Sequence, residues 1–341
     1  MEGMETADPS DRGQTVAGMI QTLMSGGISE APAREMATEL AERGEIEVGA
    51  DAGDYDLPPQ VRERAQDEAL QPASAASGGR VRIRDLVDGT SPPLQTLYQG
   101  AYQQAVTDSG LQDVELLTSF PVATLAFGYS RDGTEPGASR LVAYSSRTAV
   151  RLYGALMKTE GLMFRLDPMR VAEHLRRQGY NLASSDLNAN TRLEILRQLD
   201  VPAPGEERTR SLSTDLLTLV HSYAHRTIRQ LAKHSGIERS GIGEYLLPHH
   251  LAFIVYADSR SEFALGGLQA VFEQSLHRVL DDVVGAEHRC PLDPGCRNGG
   301  GACMACLHLG EPSCRWLNRY LDRASLFGPE GFVIGVVQEA S

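Results

Sequence analysis

Lysine is nearly missing from this sequence. Lys158 and Lys233 are the only two, so thirty of the 32 basic residues are arginine. Cysteine is missing from the first 289 residues. No run of eighteen apolar residues occurs, which excludes a membrane-spanning helix of ordinary composition. The opening residues lack the basic-then-apolar order of a secretory signal, so a soluble, reducing, cytoplasmic setting away from membranes is expected. There is no Walker loop and no GxGxxG turn, hence no sign of an ATPase within this chain. No Ser, His and acid set and no carboxylate pair stands out as catalytic machinery.

What cysteine there is lies together. Cys290, Cys296, Cys303, Cys306 and Cys314 fall within one stretch, HRCPLDPGCRNGGGACMACLHLGEPSC. Cys303 and Cys306 form a CxxC knuckle, and the five thiols supply the four of a tetrahedral structural Zn2+ site plus one spare. Gly295, Gly299, Gly300 and Gly301 give the chain freedom to wrap around an ion. Four thiolates would serve an iron–sulfur cluster equally, and spacing alone leaves both the metal and the choice of four open. A disulfide knot fits less well, because secreted domains spread their cysteines along the chain. His288 and His308 flank the cluster and read as loop histidines.

The formal charge is −13 over 341 residues, and it is unevenly placed. Residues 1–79 hold sixteen acidic residues against five arginines, a net of −11, which leaves −2 for the rest. Residues 1–79 therefore read as an acidic head, with two short helices at Thr15–Met24 and Pro32–Arg43 and then a Pro/Ala/Ser/Gly-rich linker. From Val81 the pattern is that of a folded body. A helix is expected over Leu94–Ser109, an antiparallel meander over Phe120–Leu166, and a helix from Asp167-Pro168 to Gln178. TRLEILRQL reads as a short helix, HHLAFIVYADS as a buried strand, and LQAVFEQSLHRVLDDVV as a helix opened by Gly266-Gly267. Trp316 sits in a further expected helix, CRWLNRYLDRASLFG, and FVIGVV reads as a closing strand.

Between these lies RSLSTDLLTLVHSYAHRTIRQLAKHSG. Leu217, Val220, Ala224, Ile228 and Leu231 step by three and four and make a buried face. His221, His225, Arg229 and Lys233, spaced by four, form a stripe beside it. Three readings fit that stripe: histidines bonded to carbonyls at the edge of the core, a cationic strip touching DNA phosphates or an acidic partner, or a metal site. HxxxH is a weak metal signal, and no third ligand is apparent in the sequence.

The order LVHSYAHRTIRQLA, a strand, LGGL opening a helix, C-x5-C, CMAC, EPSC and NRYLDR resembles the C-terminal zinc-binding region of the DrmB family of DISARM phage-defence proteins, itself related to the MZB domain of MrfA-type helicases. Glu160, Gly161, Leu162, Met163 and Phe164 are similar to that family's GEGIF segment, and Phe127 to Arg131 to its GFTR-like segment with two departures. The resemblance spans residues 110–326. It implies a non-catalytic, zinc-binding accessory subunit of an anti-phage system that pairs with a separate helicase or ATPase and helps it engage DNA. It also implies Cys303, Cys306 and Cys314 as ligands, with Cys296 as the fourth and Cys290 as the alternative. The expected fold class is α+β: an antiparallel meander with helices, a C-terminal four-cysteine lobe and a short helical acidic N-terminal segment. Three domains are expected: 1–79, 80–205 and an MZB-like 206–341. Alternative readings are a zinc-dependent hydrolase or nuclease using His221 and His225, and a free-standing zinc regulatory protein.

Overall fold

The computed structural model describes residues 57–76, 79–88, 90–132, 139–146, 149–201, 209–258, 266–285, 289–310 and 313–333, and isolated positions between 23 and 39. Most of the helices expected near the N-terminus, most of the closing strand, His288 and the turn residues 133 and 136–137 lie outside them. The chain divides into two units, residues 1–56 and 57–341, and the sheet, its helices and the cysteine lobe all belong to the second.

The fold is α+β, built on an antiparallel sheet. Helix α1 (Pro59–Ala76) precedes strand β1 (Arg80–Arg82), short helices α2 (Ile83–Asp88) and α3 (Pro92–Leu97), a wide turn at Tyr98–Tyr102, and α4 (Gln103–Asp108). The meander comprises β2 (Leu111–Ala126), the small strands β3 (Gly128–Asp132), β4 (Ser139–Ala143), β5 (Ser145–Ser146) and β6 (Ala149–Val150), and β7 (Tyr153–Leu166). Then come α5 (Pro168–Arg177), α6 (Asn188–Arg197), α7 (Leu212–Ser235), β8 (Ile242–Leu247), β9 (Ala252–Ala257), α8 (Gly267–Gln274), α9 (Leu276–Gly285) and a single turn, α10 (Gly295–Asn298). The main sheet runs β1-β2-β7-β9-β8, every neighbouring pair antiparallel.

Alternation along the central strands sends side chains to two faces. Leu162 and Phe164 on β7 join the large core with Phe253 and Val255 on β9. Met163, Ile254 and Phe120 point the other way, into a smaller cluster that includes Ala75 of α1. Segments 80–205 and 206–341, expected as separate domains, both contribute to the large core.

Helix α7 is the spine of that core. It starts with the reciprocal cap of Ser211 and Thr214, whose Oγ1 accepts from the Ser211 amide at 2.6 Å. It stops at Gly236, where φ is +71°, a left-handed value that favours glycine. In between it is buried nearly all round, as a helix inside a core must be. Asp167 caps α5 through the amides of Met169 and Arg170, with Pro168 in the first turn as expected.

Three elements differ from expectation. Residues 59–76, assigned to the linker, form α1. It docks through Glu68, which accepts from the His249 amide at 2.9 Å, and through the Ala65 carbonyl, 2.7 Å from His250 Nε2. The segment after Cys314 is not a helix but a chain of turns, with Leu317, Asn318 and Tyr320 at positive φ. The helix expected over 268–284 breaks at Ser275 into α8 and α9.

Candidate metal centres

Four cysteines meet in the C-terminal lobe: Cys290, Cys296, Cys303 and Cys306, their sulfurs all within 4.8 Å of one another. Individual separations are 3.5 Å for Cys290–Cys303 and 3.7 Å for both Cys296–Cys306 and Cys303–Cys306. A disulfide would hold its sulfurs at about 2.05 Å. Zn–S bonds of about 2.3 Å set tetrahedrally give S···S edges of roughly 3.75 Å, so the spacing is that of ligands around an ion. The donor set therefore fits a metal such as zinc.

Local chemistry shapes this pocket. The amides of Leu292 and Cys303 point at Cys290 and Cys306 sulfurs, at 3.4 and 3.2 Å. Gly301, at φ +78°, donates its amide to the Cys296 carbonyl and accepts from the Arg323 amide. Arg323 in turn grips Asp293 with two bonds of 2.8 and 2.9 Å, and Asp293 Oδ2 accepts the Cys290 amide at 3.1 Å. Burial resists a thiolate at Cys303, but hydrogen bonds from Cys290 and from the Ala305 and Cys306 amides win and bring it to about 7. Cys296 is pushed up by burial and by its neighbouring sulfurs. Four adjacent thiolates without a cation repel one another, and a bound divalent ion removes that conflict.

The four sulfurs that cluster are not the four that the resemblance implied as ligands. Cys290 lies with Cys296, Cys303 and Cys306, and Cys314 lies in a second group with His221, His225 and Glu244. His221 Nε2 lies 3.1 Å from Glu244 Oε1 and 3.4 Å from Cys314 Sγ, and His225 Nε2 lies 3.4 Å from Glu244 Oε2. All four residues are buried, both histidines at 0% exposure. Burial favours a protonated Glu244, yet the His221 hydrogen bond and the two imidazoles beside it outweigh burial and hold the carboxyl down at about 2. So the two histidines are not a surface strip for DNA or a partner. Sequence reasoning missed Glu244, which sits in β8 between Gly243 and Tyr245 with an apolar strand around it. A lone acid in an otherwise apolar strand was the available signal.

No family model matches the chain. It is similar to a DISARM protein DrmB. That relative, from Bacillus paralicheniformis, is 31% identical over 121 residues, which cover 32% of this chain. The chain spans 22% of the relative's length.

The other two residues of the stripe, Arg229 and Lys233, line a cleft of about 1040 Å³ beside the cysteine lobe. Arg229 is committed to the lobe itself, donating to the carbonyls of Ala305, His308 and Met304 at 2.8, 3.2 and 3.4 Å. Arg226 likewise holds the carbonyls of Val283 and Asp282. Lys233, Arg239 and Arg289 are exposed on the cleft's wall, with Glu238 the acid among the lining residues. His308, half-buried in the same wall, has its pKa lowered by burial and by His225 and Arg229.

The Gly266-Gly267 turn has an internal partner. Glu160 accepts from the amides of Leu268 at 2.9 Å and Gln269 at 3.1 Å, so the start of α8 is capped by a carboxylate from β7. A side chain at Gly267 would meet Ile237 Cδ1 and the Ser235 carbonyl, both at 3.0 Å. Gly267 serves close packing, and Gly266, at φ +92°, makes the turn before it.

Proposed function

We propose that this chain is a metal-braced accessory module of a DISARM-like anti-phage defence system, pairing with a separate helicase or ATPase subunit and helping it engage DNA. The observation that carries the reading is a four-cysteine cluster beside a cleft bearing exposed Lys233, Arg239 and Arg289, in a chain similar to a DISARM protein DrmB. Zn2+ at the cysteines would act structurally, fixing the loops that form one wall of the cleft. The cleft's exposed cations suit phosphates, which are gripped without regard to sequence. Each bears on the partner's DNA rather than on a reaction of its own.

A hydrolase using His221 and His225 would need a metal position open to water and substrate. The burial of all four donors in that group favours the accessory reading.

Two measurements test the proposal. Co-expression with the genes that neighbour this one should yield a co-purifying complex that contains a helicase-type subunit; isolation as a free-standing protein would favour the regulatory alternative. Duplex DNA binding followed by fluorescence anisotropy should weaken with salt. The triple substitution Lys233→Ala, Arg239→Ala, Arg289→Ala should reduce the log–log salt slope by about 2 to 3. An unchanged slope would remove the cleft from the account.

A further inference from the structure

His225 fixes its own tautomer. Its Nδ1 lies 2.9 Å from the Leu307 carbonyl, an oxygen that can only accept, so Nδ1 carries the proton. In the neutral ring Nε2 is then a bare lone pair. It faces Glu244 Oε2 at 3.4 Å, and neither atom has a hydrogen-bond partner among the described residues although both are buried. Two acceptors turned toward each other in a dry interior repel unless something positive lies between them. A proton on Nε2 would draw the pair to about 2.7–2.9 Å, shorter than the spacing here.

Two further donors stand beside them. His221 Nε2 and Cys314 Sγ close the group, with all four donor atoms within 4.8 Å of one another. Metal bonds of about 2.0–2.1 Å to nitrogen and oxygen and 2.3 Å to sulfur give tetrahedral edges of roughly 3.3–3.6 Å. The observed 3.1 Å from His221 Nε2 to Glu244 Oε1 and 3.4 Å from His221 Nε2 to Cys314 Sγ fall about there, while His225 Nε2 faces the other oxygen of the same carboxylate. Cys314 Sγ also accepts the Asn318 amide at 3.3 Å. Histidine ligands characteristically donate their second nitrogen to a carbonyl, which is what His225 does.

We propose that the chain holds a second, closed metal centre, in which His221 Nε2, His225 Nε2, Glu244 and Cys314 Sγ bind one divalent ion of the zinc class. One carboxylate and one thiolate neutralise a divalent charge, as a centre buried in the core requires. Two imidazoles, one carboxylate and one thiolate suit zinc, cobalt or iron better than magnesium or calcium. The ion ties α7 to β8 and to a residue 93 positions beyond His221, joining the cysteine lobe to the sheet. With four protein donors it has no open position and serves as a brace.

The test is metal content of the full-length chain purified from zinc-supplemented cells. Two ions per chain are expected, and Cys303→Ser should leave one. Replacing that remaining ion with Co2+ should give charge-transfer absorption from a single thiolate, and X-ray absorption should find one sulfur among nitrogen and oxygen. Glu244→Gln should bind one ion fewer than wild type; should that variant fail to fold, the Cys303→Ser spectra decide. One ion per chain in the folded wild type, or a remaining ion with no sulfur or several, would overturn the proposal.

Discussion

His225 Nδ1 sits 2.9 Å from the carbonyl oxygen of Leu307, the residue that directly follows Cys306 of the CxxC knuckle. The spine helix α7 is thereby bonded to the loop that presents the cysteine sulfurs. Arg229, one turn further along, holds the same loop through three carbonyls. Disturbing the knuckle therefore reaches the core.

Cys306→Ser should release the metal from the four-cysteine site. We expect a loss of roughly 3 kcal/mol or more in the urea unfolding free energy, with proteolysis beginning in residues 289–310. Wild-type protein treated with a strong chelator should show the same cleavage pattern. Unchanged stability and protease resistance would separate the knuckle from the fold.

Glu160→Ala should strand the Leu268 and Gln269 amides, the first of them buried, at the start of α8. The expected cost is about 2–3 kcal/mol, read as a lower urea midpoint with unchanged m-value. Glu160→Gln keeps an acceptor and gives up only the charge, so about 1 kcal/mol is expected.

Gly301→Ala places a methyl in contact with the Asp322 carboxylate at a residue whose φ is +78°. A cost on the order of 1–3 kcal/mol is expected, together with weaker metal retention, because this residue's backbone ties Cys296 to Arg323. Competition with a colorimetric zinc chelator reads the second effect.

Acid should destabilise the fold through His174. Burial lowers its pKa to about 4, partly opposed by its bond to the Glu330 carbonyl. The unfolded chain takes up this proton near 6.5, the native one near 4, so stability is intact above 6.5 and falls as pH drops through that window. His250, lowered to about 4 by burial and by Arg192, acts in the same direction. Asp113, raised to about 6 by burial and by Glu115, acts in the opposite direction below pH 6. His174→Gln should flatten the dependence, narrowing the difference between pH 7.5 and pH 5 by about 2 kcal/mol. Parallel curves for the two proteins would contradict the assignment.

Much of the fold was legible because local rules and tertiary packing agree. Asp167-Pro168 marks a helix start that the structure keeps. The stripe kept three readings open because periodicity places His221 and His225 on one side of α7 without saying that this side is also buried. Cys314 is only eight positions beyond Cys306, yet turns with positive φ at Leu317 and Asn318 follow it and its sulfur faces α7. Helix α1 was hidden by Pro58-Pro59 and Pro72, residues that read as breakers, although Pro59 stands at the helix start, where proline is tolerated. Glu244 was missed because the residues that give it meaning, His221 and Cys314, lie 23 and 70 positions away.

The central claim is that Cys290, Cys296, Cys303 and Cys306 together grip one ion. X-ray absorption at the metal edge of the Cys314→Ser chain tests it most directly, since those four are then the only cysteines. The account predicts a shell at the bound metal that includes four sulfurs at about 2.3 Å, alone or averaged with a light-atom site. A protein that folds without metal, or an ion whose shell holds no sulfur, would contradict it.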